Sequence, residues 1–171
     1  MQYEQAKQGR TFVLRLEHGE TIHEAIERFA AREKVAAASV IVLGGANAGS
    51  GLVVGPEDGE ARPVQPMQAT LSAVHEITGT GTIFPDENGH PVLHLHLACG
   101  RETDTTTGCS RAGVQAWQIV EAVITELLGT RRSADWTPIL ASRCCRSNRI
   151  PARRRAQVRS DSRRPPFLPG R

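Results

Sequence analysis

The alternation of apolar and polar positions divides this chain into segments. From Arg10 to Leu16, Phe12, Leu14 and Leu16 alternate with Thr11, Val13 and Arg15, which is the period of a strand. His18-Gly19 ends that segment, and the period changes. Ile22, Ala25, Ile26, Phe29 and Ala30 form one stripe at helical spacing, with Glu24, Glu27, Arg28 and Arg32 on the wet side. Thr21, with Glu24 three residues on, predicts a capping box at the start of this helix. His23 reads as a solvated helix residue. Val35 to Leu43 predicts the next strand, ending at Gly44-Gly45. The glycine-rich run Gly44 to Gly51 is not a phosphate loop, because Leu52-Val53-Val54 follows it as a strand and not as a helix. Its glycines predict a tight turn or bulge.

Glu57 to Pro66 reads as a polar loop. Met67 to Phe84 predicts one long strand with bends or bulges at Gly79 and Gly81, and Asn88-Gly89 predicts a hairpin turn after it. The strand that follows, Pro91 to Gly100, is unusual. Leu93, Leu95 and Leu97 share one face and read as core, while His94 and His96 share the other. By the same parity Cys99 points with the leucines, away from the histidines. Arg101 to Thr107 predicts a polar turn and a returning strand. Ala116 to Leu128 predicts strand from its β-branched content. One helical stripe among several alternating segments predicts an α+β fold, a mostly antiparallel sheet with one main helix packed on a face.

Composition adds limits. A chain of 171 residues with 39% apolar but only 4% aromatic residues has to build its core from Val, Ile, Leu and Ala. No segment approaches the roughly 18 apolar residues of a membrane helix, so no membrane partner is expected. The start, Met1-Gln2-Tyr3-Glu4, lacks a basic-then-apolar signal pattern, so the expected location is cytoplasmic. The net charge of +3 hides an asymmetry. Residues 143–171 hold ten arginines and one acid, Asp161, for +9, which leaves −6 on residues 1–142. The expected organisation is a domain over residues 1–142 and a disordered Arg/Pro/Ser-rich tail over 143–171. Affinity for DNA would have to come from that tail or from a local patch. Four cysteines are too few and too clustered for a disulfide framework, and Cys144-Cys145 in the tail reads as incidental.

The candidate chemistry centres on the histidine strand. Two imidazoles on one face, with Cys109 thirteen residues beyond His96, offer two nitrogens and one sulfur around an open fourth position, a set that suits Zn²⁺. The same residues also fit a polar cavity or subunit contact with Cys109 as an ordinary buried thiol. Glu76 and Glu121 are the carboxylates expected to approach, either to orient an imidazole or to act as a general base, or else they are surface residues. Arg101 and Arg111 flank the Cys109 segment and would either grip an anionic ligand or make interface salt bridges. No nucleophile–base arrangement of the Ser–His–Asp kind stands out.

Taken in order, several stretches resemble the plant- and prokaryote-conserved (PPC) domain. They are Gly44-Gly45-Ala46 with Gly49-Ser50 and Leu52 to Pro56, His75-Glu76-Ile77 leading to Gly79 through Pro85, His94-Leu95-His96, Gly100-Arg101, and Thr107 through Val114 with Trp117 and Glu121. The resemblance spans about residues 10 to 130. It implies an α+β domain assembled as a homotrimer, and a DNA-associated or regulatory role. Some members place a third, metal-binding histidine after a Gly-Gly pair. Here Thr107-Gly108-Cys109 stands at about that position, so this chain is similar to a Gly-Cys-x-Arg branch. Three functions follow as expectations: a DNA-associated or regulatory protein, a metal-dependent enzyme on a small molecule, or a non-catalytic trimeric ligand-binding module.

Overall fold

A computed structural model describes residues 3–130, and every structural statement below concerns those residues. In chain order they form β1 (Lys7–Glu17), α1 (Ile22–Glu33), β2 (Ala38–Ala46), β3 (Gly51–Pro56), β4 (Pro66–Thr70), β5 (His75–Pro85), β6 (Pro91–Arg101), β7 (Asp104–Cys109), a single 3-10 turn (Ser110–Ala112) and β8 (Ala116–Leu128). The strands make one sheet in the order β1-β8-β2-β5-β6-β7-β3-β4, with antiparallel neighbours throughout. This is the α+β architecture expected from the alternation. The predicted boundary at 142, the tail and Cys144-Cys145 lie outside the described residues.

Only one face of the sheet carries the core. Leu93, Leu95 and Leu97 of β6 are buried there with Val40 and Val42 of β2, Ile77 and Ile83 of β5, and Val120 and Ile124 of β8. Helix α1 lies on that face and buries Ile22, Ile26 and Ala30 completely. Phe29 meets Phe12 of β1 edge to face, with centroids 5.1 Å apart, which ties the helix to the edge strand.

Both ends of α1 depart from the sequence reading in instructive ways. Thr21 occupies the N-cap position in extended conformation, yet its hydroxyl caps nothing, so the capping box does not form. The Ile22 amide instead donates to the Val114 carbonyl at 2.9 Å, so the segment that leads into β8 does the work of a cap. At the other end Lys34 takes a left-handed conformation (φ 56°), and the Val35 amide turns back to the Ala30 carbonyl. Val35 to Ala37 are therefore helix exit, and β2 starts only at Ala38.

The predicted long strand Met67–Phe84 is two strands. Its break is at Leu71, whose buried backbone bonds the Gly49–Ser50 loop in both directions, at 2.8 and 2.9 Å. That exchange holds β4 at the far edge of the sheet and releases β5 to enter its centre. The two glycine pairs also differ. Gly44 and Gly45 do mark a bulge, where the register between β2 and β8 shifts. Gly79 and Gly81 mark none, because β5 and β6 stay in register from Glu76↔Gly100 to Pro85↔Pro91. Their role is close approach. A Cβ at Gly81 would lie 2.5 Å from the His94 carbonyl oxygen, and one at Gly79 would run into that of His96.

Removing the helix's central anchor should expose this dependence. Ile26→Ala should lower unfolding free energy by about 2–5 kcal/mol in urea titration. A loss below about 1 kcal/mol would contradict the packing described.

Candidate metal centre

Strand β6 is one long alternation with two opposed uses. Its odd positions feed the core, and its even positions put His94 and His96 on the outer face, both exposed. The rings sit 5.0 Å apart at 75° to one another, and their Nε2 atoms are 3.1 Å apart. Strand β7 returns beside β6 and pairs Cys109 directly with His96. Directly opposed residues share a face, so the thiol comes up beside the imidazoles. It is only 6% exposed. One ligand atom from each of the three residues lies within 4.8 Å of the other two.

The donor set fits a zinc ion. Tetrahedral bonds of about 2.0–2.1 Å to nitrogen and 2.3 Å to sulfur put two nitrogens about 3.3 Å apart and nitrogen and sulfur about 3.5 Å apart. The two imidazole nitrogens already stand near that spacing, and the thiol needs to move in by about 1.3 Å at most, the difference between 4.8 Å and about 3.5 Å. Electrostatics favours the ligating form of His94. Desolvation first, then the neighbouring His96 and the Arg111 charge, hold its pKa below the ordinary histidine value. Cys99 lies fully buried on the opposite face, as parity required, and burial pushes its thiol up to about 11.

The other expected residues are placed less closely. Glu76 pairs with Gly100, four positions along β6 from His96, or about 13 Å at roughly 3.3 Å per residue. Glu121 sits on β8 between Arg15 and Leu43, three strands from β6, about 14 Å at roughly 4.8 Å per strand. Neither stands beside the histidines within one chain. Arg101 extends from the far end of β6 and donates to the Val74 carbonyl at 3.0 Å. Arg111 stays close, in the turn that follows Cys109.

Two features escaped the sequence reading. Thr80 and Thr82 pair with His96 and His94 and share their face. The signal was present in Thr78-Gly79-Thr80-Gly81-Thr82, whose threonines and glycines alternate like the histidines and leucines opposite. Glu27, read as a wet-side helix residue, accepts a hydrogen bond from the Leu93 amide at 2.9 Å, where β6 runs on beyond the end of β7. Helical periodicity alone carries no sign of that contact.

A family model, the Plants and Prokaryotes Conserved (PCC) domain, matches residues 3–128. The chain belongs to this family. No curated protein matches it. Among solved structures, the chain is similar to a PPC protein of Pyrococcus horikoshii (20% identity, 77% of this chain and 87% of that one, TM-score 0.65). It is also similar to a metal-containing protein of Archaeoglobus fulgidus (22%, 74% and 86%, TM-score 0.63). A third likeness is to a Bacteroides thetaiotaomicron protein named "putative dna binding protein" (17%, 74% and 86%, TM-score 0.57). At these identities the likeness carries the PPC fold. No helix among the described residues is long and apolar enough to cross a membrane.

In metal-stripped protein, the His94 ring proton followed by NMR should titrate with its midpoint below the ordinary value near 6.5, remaining neutral where free histidine is already charged. A midpoint at or above 6.5 would contradict the surroundings described.

Proposed function

We propose that this PPC domain is a zinc-binding module whose site takes a small ligand, with His94, His96 and Cys109 as the protein donors. The observation that carries this reading is the convergence of two imidazole nitrogens and one thiol within 4.8 Å on adjacent strands. A bound zinc would act there as a Lewis acid with an open fourth position. The name of the Archaeoglobus structure, a metal-containing protein, agrees with this assignment. Thr80 and Thr82 border the site. General-base roles for Glu76 or Glu121 would require them to come from another copy of the chain, so a small-molecule enzyme is the less favoured version of the reading.

Assembly as a homotrimer is part of the proposal. The outer face that carries the histidines also exposes Val13, Ile41, Leu43 and Ile119. Val13, Val123, Ile41, Thr80 and His96 lie in one transverse row by strand register. The apolar part of this row, Val13, Val123 and Ile41, on an open sheet face is a surface suited to a second copy.

DNA association is the second reading, favoured by charge. The body carries −6 and residues 143–171 carry +9, so a polyanion would be drawn to the arginines of the tail. The name of the Bacteroides structure agrees with this reading. A regulatory role would follow from it.

Metal analysis of purified protein should find one zinc per chain. His96→Ala or Cys109→Ser should abolish stoichiometric zinc while light scattering still gives a trimer mass. Absence of zinc from freshly purified and zinc-incubated wild-type protein would end the metal reading, and a single-chain mass at micromolar concentration would end the trimer. Deleting residues 143–171 should leave the circular dichroism of the domain intact and remove DNA binding at physiological salt. Binding that survives the deletion would move the nucleic-acid surface to the body.

A further inference from the structure

Arg111 is a cation that the metal reading leaves unused. It follows Cys109 by two residues in the 3-10 turn, and its charge is near enough to His94 to act on that ring. Its Nη2 is buried without an acceptor, and among the described residues no carboxylate forms an ion pair with it. A desolvated guanidinium nitrogen lacking a partner is costly and rare in a settled interior. The other buried orphan, His23 Nδ1, sits on α1, which packs against the same turn, and an imidazole brings no negative charge to balance the arginine.

Charge gives the orphan a direction. The side chains gathered here are two imidazoles, one thiol and one guanidinium; the Glu27 carboxylate, which accepts from the Leu93 amide beside His94, forms no ion pair with Arg111. Glu76 and Glu121 stand well away in the sheet. With a divalent ion and a thiolate in place, the site would keep a net positive charge even beside the Glu27 carboxylate, and its open side faces solvent past the exposed histidines.

We propose that the ligand of this site is a small oxyanion, a carboxylate or a phosphate, with one oxygen on the metal's open position and another on Arg111 Nη2. This rests on the zinc reading above and adds the class of ligand to it. A planar guanidinium suits such a group better than an ammonium would, because it can offer two parallel N–H donors to two oxygens. Arg101 does not compete for the role, since it is held at the far end of β6 by the Val74 carbonyl.

The test uses the full chain, stripped of metal and loaded with Co²⁺, whose visible absorption reports its coordination. Sodium acetate and inorganic phosphate are titrated separately, with acetamide as the neutral control. At least one anion should change the cobalt spectrum saturably, and acetamide should not. Arg111→Ala should weaken that anion roughly tenfold or more, and Arg111→Lys should weaken it less, with cobalt content and circular dichroism measured for each variant. The proposal is overturned if neither anion binds, if acetamide binds as tightly, or if a folded Arg111→Ala or Arg111→Lys variant binds as wild type does. A chain that takes up no cobalt would fail the zinc reading alone. Calorimetric titration of phosphate into metal-free protein then decides the anion question: heat that disappears in Arg111→Ala supports it, and no heat in wild type overturns it.

Discussion

The register of β6 between β5 and β7 is the constraint on which the rest of this domain depends. A strand has two faces and a strict period of two, so a slip by one residue would bring the histidines into the core and the leucines into solvent. Burial of Leu93, Leu95, Leu97 and Cys99 makes such a slip prohibitive. The hydrophobic core thus fixes the outer face as well, although none of its atoms touches that face. The positions of His94 and His96 are a by-product of packing three leucines under a helix.

Neighbouring strands complete the arrangement by different means. On the β7 side, pairing puts Cys109 opposite His96 before the chain leaves the sheet in the 3-10 turn that carries Arg111. Past that point β6 has lost its strand partner, and the helix supplies Glu27 to the free Leu93 amide. On the β5 side, glycines stand against the leucines and threonines against the histidines. The same ten-residue register therefore sets a core with no room to spare on one face and an open polar surface on the other.

The legible parts of this structure were those written in short periods. The helix stripe of Ile22, Ile26 and Ala30, the parity of β6 and the Asn88-Gly89 turn are local patterns, and local patterns survive in a one-dimensional string. The order of strands brought by long-range pairing did not show. Nothing near Met67 signals that Leu71 will be held by Gly49 and Ser50, so one alternating stretch was read as one strand where the sheet uses two. Thr21 has the residue type of a cap, yet the amide at the helix start found the Val114 carbonyl, far along the chain. At the site, His94, His96 and Cys109 could be grouped from parity and a single reversal. The distance of Glu76 and Glu121 depends on which strands lie between, and that information is topological.

The glycines of β5 bear on how this surface can change over generations. Thr80 and Thr82 point outward, so substitutions there alter the rim of the histidine site without disturbing anything beneath it. Gly79 and Gly81 allow no such drift, because the smallest side chain would strike the backbone of the neighbouring strand. The hairpin therefore separates what mutation can explore from what it cannot, residue by residue along a single strand. Sequence change is accessible by single steps on one face, while the spacing that presents the two imidazoles stays frozen on the other.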